Sequence, residues 1–73
     1  MPGQELVIEI AEAVFGQRVA MDDNLFDLGV DSIQIAEYCD RLERALGRRI
    51  DMVALMNADS FGSFSRTVMT ADR

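Results

Sequence analysis

The chain contains no histidine, lysine or tryptophan, and it has a single cysteine and a single proline. Without histidine, the common zinc sites and the Ser–His and Cys–His forms of nucleophilic catalysis are excluded. The single cysteine, Cys39, cannot build an internal disulfide framework. We therefore expect no catalytic residue and no metal site of the chain's own.

Long apolar runs are also missing, and so is a basic N-terminal flank followed by a hydrophobic stretch. These absences predict a cytoplasmic protein without a membrane partner.

The net charge is −6: residues 1–31 hold seven acids against Arg18, and residues 32–73 hold six acids and six arginines. Because phosphate neutralisation supplies most nucleic-acid affinity, no nucleic-acid partner is expected.

What is present is typical of a small helical domain. Seventy-three residues, 49% of them hydrophobic and 7% aromatic, favour a single domain over residues 1–73. Apolar residues recur at helical spacing over residues 4–15 and 32–46. A short third helix is predicted after Asp51, and a fourth from Asp59 or Ser60 to about Thr70. The predicted fold is an all-α, four-helix bundle with a short third helix.

The helical periodicity also predicts which side chains face the core. In the first helix they are Leu6, Val7, Ile10, Ala11, Ala13 and Val14, with Pro2 and Gly3 outside the helix. In the second they are Ile35, Tyr38, Cys39, Leu42, Ala45 and Leu46. In the fourth they are Phe61, Phe64, Val68 and Met69. The five methionines are interpreted as core filler.

The second helix has start and stop signals that agree with one another. Asp31 is a good N-cap residue, and Gln34 stands three positions later, as in a capping box. Val30 and Ile35 have the spacing of a hydrophobic staple, and Gly47 is a natural stop. The third helix has a similar staple in Ile50 and Leu55.

Residues 16–31 form a long connection without sustained periodicity, in which Leu25, Phe26 and Leu28 are expected to be pinned to the core. Its acidic part, from Asp22 to Asp31, lacks the ligand spacing of a calcium loop. In the fourth helix, Gly62 should cost about 1 kcal/mol relative to alanine.

Ser32 opens the second helix, where unpaired backbone N–H groups and the positive end of the helix dipole favour an anion. A hydroxyl at this place is well positioned to carry a phosphodiester. Serine is also common at helix starts without any function. The neighbouring Ile33 lies outside the buried arc, which is either an ordinary exposed apolar residue or a docking contact.

The segment 24–33, NLFDLGVDSI, resembles the attachment motif of acyl and peptidyl carrier proteins, and the resemblance covers essentially the whole chain. It implies that Ser32 receives a phosphopantetheine arm from coenzyme A through a phosphopantetheinyl transferase. It further implies that Asp31 helps the transferase hold its magnesium ion, and that the carrier performs no chemistry itself. The implied face for partner enzymes consists of Val30, Ile33, Ala36, Glu37 and Asp40.

The chain departs from the family pattern in two respects. Residues 32–46 hold three acids against two arginines, a net charge of −1, so steering towards a basic partner should be weak. Ile33 is commoner in peptidyl carriers, whereas Val30-Asp31 is closer to acyl carriers. We favour a specialised polyketide or nonribosomal peptide pathway over fatty-acid synthesis.

The implied partners in such a pathway are a loading ligase or acyltransferase and downstream synthase, condensation or tailoring enzymes. The alternative is an unmodified helical module for protein–protein contact. The initial methionine and the lack of a Pro/Gly/Ser-rich tail favour a stand-alone protein, and we expect it to be a monomer. The cargo stays open between an amino acid, a short acid and a fatty chain. Met52, Met56, Met69 and Phe64 are candidates to line a pocket for such a chain, although core packing is preferred.

Overall fold

The computed structural model describes residues 2–70, with side chains from residue 4 to residue 68. Its helices are α1 (Pro2–Phe15), α2 (Ser32–Leu46), α3 (Met52–Asn57) and α4 (Phe61–Thr70), and a 3₁₀ helix spans Leu25–Leu28. No strand occurs within residues 2–70, so the predicted all-α, four-helix fold with a short third helix is confirmed. None of the helices in this range combines the length and apolar character needed to cross a membrane.

The first helix begins at Pro2, so the prediction that Pro2 and Gly3 lie outside it is wrong. Proline is tolerated in a first helical turn because the N–H that it lacks would have no partner there anyway. Gly16 ends the helix as predicted, with φ 69° and its N–H donated to Glu12 O at 2.9 Å. Gly16 therefore marked the end of α1 in the sequence, whereas no polar capping residue marked its start.

Tyr38 lies at the centre of the core and joins three helices. Its hydroxyl donates to Val7 O in α1 at 2.9 Å. Its ring centroid lies 5.3 Å from that of Phe15, 6.1 Å from that of Phe61 and 6.4 Å from that of Phe64. Fully buried aromatic contacts of this kind contribute more than their buried area alone. The packing of α1 against α2 and α4 is thus organised around one side chain of α2.

The predicted core faces of α1, α2 and α4 are mostly confirmed, with three exceptions. Ala13 and Ala45 are exposed, and Leu6 is half-buried but is not one of the side chains that pack against the core. The buried stripe of α1 runs through Val7, Ala11 and Phe15, so its centre lies on the far side of the helix from Ala13. Ala45 lies at the edge of the α2 stripe, where a methyl group is too short to reach the core. The side chain of Met69 lies outside the described residues.

The connection between α1 and α2 is held against the start of α4. Phe61 N donates to Asp23 O at 2.9 Å, and Gly62 N donates to Met21 O at 2.7 Å. The first N–H groups of α4, which have no partner within the helix, are thereby satisfied by loop carbonyls. A Cβ on Gly62 would lie 3.1 Å from Met21 O, so this close approach explains a glycine inside a helix.

The 3₁₀ helix within this connection is a feature that the sequence did not predict. Asn24 caps it by accepting from Phe26 N at 2.8 Å, and Gly29 ends it with φ 71°. Leu25 is buried and Leu28 half-buried, as expected, but Phe26 is exposed, so its predicted place in the core is wrong. With three residues per turn, positions 25 and 28 share one side and Phe26 projects from another.

Candidate functional site

Ser32 is the first residue of α2, and the capping box before it is complete. Asp31 Oδ1 accepts from Gln34 N at 2.8 Å, while Asp31 N donates to Gln34 Oε1 at 3.3 Å. Asp31 O also accepts the helical hydrogen bond from Ile35 N at 3.1 Å. The predicted N-cap, capping box and helix start are all confirmed, and Gly47 ends α2 with φ 69°. These contacts fix the position of the exposed residue Ser32.

The helix start retains two donors for an anion. Gln34 N–H is already bound to the Asp31 carboxylate, whereas Ser32 N–H and Ile33 N–H have no acceptor among the described residues. Two backbone donors and the positive helix end favour a phosphate oxygen next to the Ser32 hydroxyl. The carboxylate of Asp31 carries negative charge at the same place and repels a phosphate. The positive helix end offsets only part of this repulsion, so the helix start is not a strong anion site.

Gly29 shapes the approach to this helix start through its backbone. Its φ of 71° is a conformation that L side chains rarely adopt, and a Cβ there would meet nothing within 4 Å. The need for glycine therefore comes from the left-handed end of the 3₁₀ helix. Gln17 Nε2 donates to Leu28 O at 3.1 Å and holds the same segment from the other side.

The residues predicted to meet partner enzymes lie mostly on the surface. Ile33 is 76% exposed, and Ala36, Glu37 and Asp40 are exposed as well. Val30 differs, because it is half-buried and packs against the core. The four exposed residues therefore lie on α2, the helix that begins with Ser32. Val30 stands one residue before Asp31, the N-cap of this helix.

The acidic side chains of this surface are neutralised within α2. Glu37 Oε2 lies 2.9 Å from Arg41 Nη2, and Asp40 Oδ2 lies 3.4 Å from Arg44 Nη2. Both pairs are exposed and have the i,i+4 spacing of helix ion pairs, so each contributes a few tenths of a kcal/mol at most. Their main effect is to leave α2 without a strong negative field.

Cys39 is buried in the core rather than placed for chemistry. Burial raises the pKa of its thiol from the usual 9.0 to about 11, and the charges of Glu43 and Asp51 add to the effect. The thiol therefore stays protonated near neutral pH, which agrees with a structural core cysteine. Burial likewise raises the pKa of Tyr38. Within residues 2–70, no group of three histidine, cysteine or carboxylate side chains is arranged to hold a metal ion.

Sequence reasoning missed a set of exposed apolar side chains on the 3₁₀ helix and on α3. Phe26 is 59% exposed, and α3 adds Met52 at 36%, Val53 at 60% and Met56 at 41%. The interpretation of the methionines as core filler is therefore wrong for Met52 and Met56, and also for Met21, which is 37% exposed. A signal was available: α3 has only six residues, nearly all apolar, and a helix can bury only one side of itself.

Comparison with known proteins gives two findings. A family model described as phosphopantetheine attachment site matches residues 5–68. The chain is also 34% identical over 59 residues to "Probable non-canonical nonribosomal peptide synthetase (NRPS) CymA" of Salinispora arenicola (strain CNS-205). That match covers 80% of this chain but 1% of the much longer relative. No solved structure matches significantly.

Proposed function

The chain belongs to the phosphopantetheine attachment site family, whose carrier domains bind phosphopantetheine covalently, and from this premise we propose that Ser32 bears the arm. One observation carries the assignment. Ser32 is exposed at the first position of a well-capped helix, beside two backbone N–H groups that have no acceptor among the described residues. A phosphodiester fits there because its oxygens can accept from both N–H groups.

The roles of the neighbouring residues follow from their contacts. Ser32 supplies the hydroxyl oxygen that displaces the nucleotide part of coenzyme A on a phosphopantetheinyl transferase, which takes the proton. Asp31 holds Ser32 at the helix start through Oδ1, and Oδ2 is left to contact the magnesium ion of the transferase. When bound, the arm supplies a thiol that carries an acyl or aminoacyl group as a thioester.

The carrier's own contribution is positional. A tethered substrate has a high effective concentration at each active site that binds the domain. This role needs no catalytic residue, and Cys39, with its protonated thiol, supplies none. The domain is accordingly a shuttle rather than an enzyme, and we assign residues 1–73 to this single cytoplasmic carrier domain.

The relative, and not the family match, favours a specialised pathway. The relative's printed name is that of a nonribosomal peptide synthetase, which supports a peptide-type assembly line over fatty-acid synthesis. The partners would be a loading ligase or acyltransferase and the condensation or tailoring enzymes that act on the tethered group. Val30, Ile33, Ala36, Glu37 and Asp40 belong to the surface that these partners meet.

The assignment of Ser32 is tested by intact-protein mass spectrometry. Incubation with coenzyme A and a broad-specificity phosphopantetheinyl transferase should add the mass of one phosphopantetheine. Ser32→Ala should abolish the gain, whereas Ser63→Ala, a serine of α4, should retain it. A folded wild-type protein that gains no mass would favour the unmodified interaction module. Retained modification in Ser32→Ala would move the site elsewhere.

A further inference from the structure

We propose that a groove beside α1 binds a basic segment of a partner protein, with an arginine or lysine against the carboxylates of Glu5 and Glu9. This α1 groove is lined by Gln4, Glu5, Ile8, Glu9 and Met21. None of these residues belongs to α2, to α3 or to segment 24–33, so the groove is separate from the surface that presents Ser32. The proposal goes beyond the carrier function and does not require that Ser32 is modified.

Two apolar side chains from different elements line the α1 groove. Ile8 of α1 is half-buried and packs against the core, whereas Met21 of the following loop is 37% exposed. The Met21 backbone is held in place because its carbonyl accepts from Gly62 N at 2.7 Å. The groove has a volume of about 310 Å³, at the lower end of the range for ligand sites. A space of this size fits one or two side chains of a short segment.

The carboxylates that line the groove have no cation to neutralise them within α1. This helix contains three glutamates and no basic residue. Glu12 Oε2 accepts from Val19 N at 3.0 Å, but the carboxylates of Glu5 and Glu9 have no hydrogen bond or ion pair with any described residue. Their i,i+4 spacing places two like charges side by side, which destabilises a helix. A cation bound between them relieves this repulsion.

The combination of apolar and acidic side chains decides which partner fits. On α2 the acidic residues are paired with arginines of the same helix, so only the α1 carboxylates are left for a cation of another molecule. Arginine and lysine match this groove because their hydrocarbon stems pack on apolar side chains while their charged groups stay in water. A neighbouring apolar residue of the same segment covers Met21. Such a contact keeps the carrier close to its partner and raises the effective concentration of a tethered group.

The test uses an acetylated and amidated tetrapeptide of alternating arginine and leucine as the probe, titrated into isotope-labelled protein and followed by amide chemical shifts. The largest shifts should occur in residues 4–9 and at Met21. Glu5→Gln combined with Glu9→Gln should lower the affinity about fivefold, because two exposed ion pairs are lost. Asp27→Asn combined with Asp59→Asn is the matched control, since it removes two exposed carboxylates that do not line the groove. Its affinity should stay within about twofold of the wild type.

The apolar part of the contact is tested at Met21. Met21→Gln should lower the affinity about threefold, whereas Met21→Leu should retain it, because leucine covers a similar apolar area. Both variants keep the backbone carbonyl that binds Gly62 N. A peptide with serine in place of leucine should bind about threefold more weakly, and one with glutamate in place of arginine should not bind. Affinity for the original peptide should fall about fivefold between roughly 50 and 300 mM NaCl.

Several results would overturn the proposal. They are no binding at millimolar peptide, shifts confined to other surfaces, and equal losses in the two charge variants with native circular dichroism. Equal binding of the glutamate peptide would exclude a basic partner. Shifts of the groove residues that depend on protein concentration alone would make a second copy the occupant. Ser32→Ala should bind the peptide as the wild type does, so failure of arm transfer to Ser32 and failure of the α1 groove are measured separately.

Discussion

Asp31 caps α2, and the proposed function gives it a second task, contact with the transferase's magnesium ion. Its carboxylate caps α2 by accepting from Gln34 N at 2.8 Å, which fixes Ser32 at the helix start. The same charge lies beside the Ser32 oxygen that we propose for the phosphodiester, so it opposes the anion that the helix end favours. The capping function alone does not explain an aspartate there, since asparagine caps as well. The contact with the transferase's magnesium ion that we propose for Asp31 needs the charge and would account for the choice.

Substitution of Asp31 should separate these tasks. Asp31→Ala removes the cap and should lower the free energy of unfolding by about 1 kcal/mol, whereas Asp31→Asn should stay within a few tenths. Both variants should receive the arm more slowly, because both lose the charge. Urea unfolding measures the first effect and transferase kinetics the second. Equal loss of stability in both variants would show that the charge, and not the hydrogen bond, stabilises the helix start.

At the scale of elements, the accuracy of the predictions follows the strength of local signals. The start of α2 was predicted to the residue and its end closely, because the signals Asp31, Gln34 and Gly47 lie within one turn of the helix ends that they mark. The start of α1 was missed because Pro2 is compatible with both a helix start and a loop. Local signals therefore set the accuracy of each helix end.

The 3₁₀ helix and α3 show the opposite limit. A segment of four residues has too little periodicity to be recognised, and the outward direction of Phe26 depends on its three-residue turn. Which side of α3 is buried depends on how it packs against α2 and α4, a tertiary property. The cap of α2 and the position of Ser32 at its start were therefore predictable from the sequence, whereas the exposure of Phe26 and of one side of α3 was not.

Cys39 of α2 should make the stability of this packing sensitive to alkaline pH. Burial raises its pKa to about 11 in the folded state, while the unfolded thiol titrates near its usual 9.0. Between these values the unfolded chain binds fewer protons than the folded one, so stability is fully present below about pH 9 and falls as the pH rises towards 11. The slope should approach about 1.4 kcal/mol per pH unit.

Thermal unfolding between pH 8 and pH 11 checks this expectation. Cys39→Ala lowers stability at every pH through lost packing, but it should flatten the fall that begins near pH 9. The decline above pH 10 should persist in the variant, because burial also raises the pKa of Tyr38. An identical pH dependence in the two proteins would show that Cys39 does not titrate differently on folding.

At the scale of the whole molecule, one continuous core connects all the elements. α1, the loop, α2, α3 and α4 each contribute buried apolar side chains to a single cluster. The loop is further bound to α4 through the Phe61 and Gly62 N–H groups. Arg48 Nη1 donates to Val68 O near the end of α4 at 2.6 Å. No element has a core of its own, so none of them should unfold separately.

The composition supplies a probe for this property. The chain has one tyrosine and no tryptophan, so its tyrosine fluorescence reports Tyr38, whose side chain contacts α1, α2 and α4 at once. Far-UV circular dichroism reports the helices. In urea, the two signals should give the same midpoint and the same slope, as expected for a two-state domain of this size. The midpoint of a monomer should also be independent of protein concentration.

A helical signal that outlasts the tyrosine transition would mean that α2 and its neighbours lose their packing around Tyr38 before they unfold. Residues 1–73 would then not form a single cooperative domain.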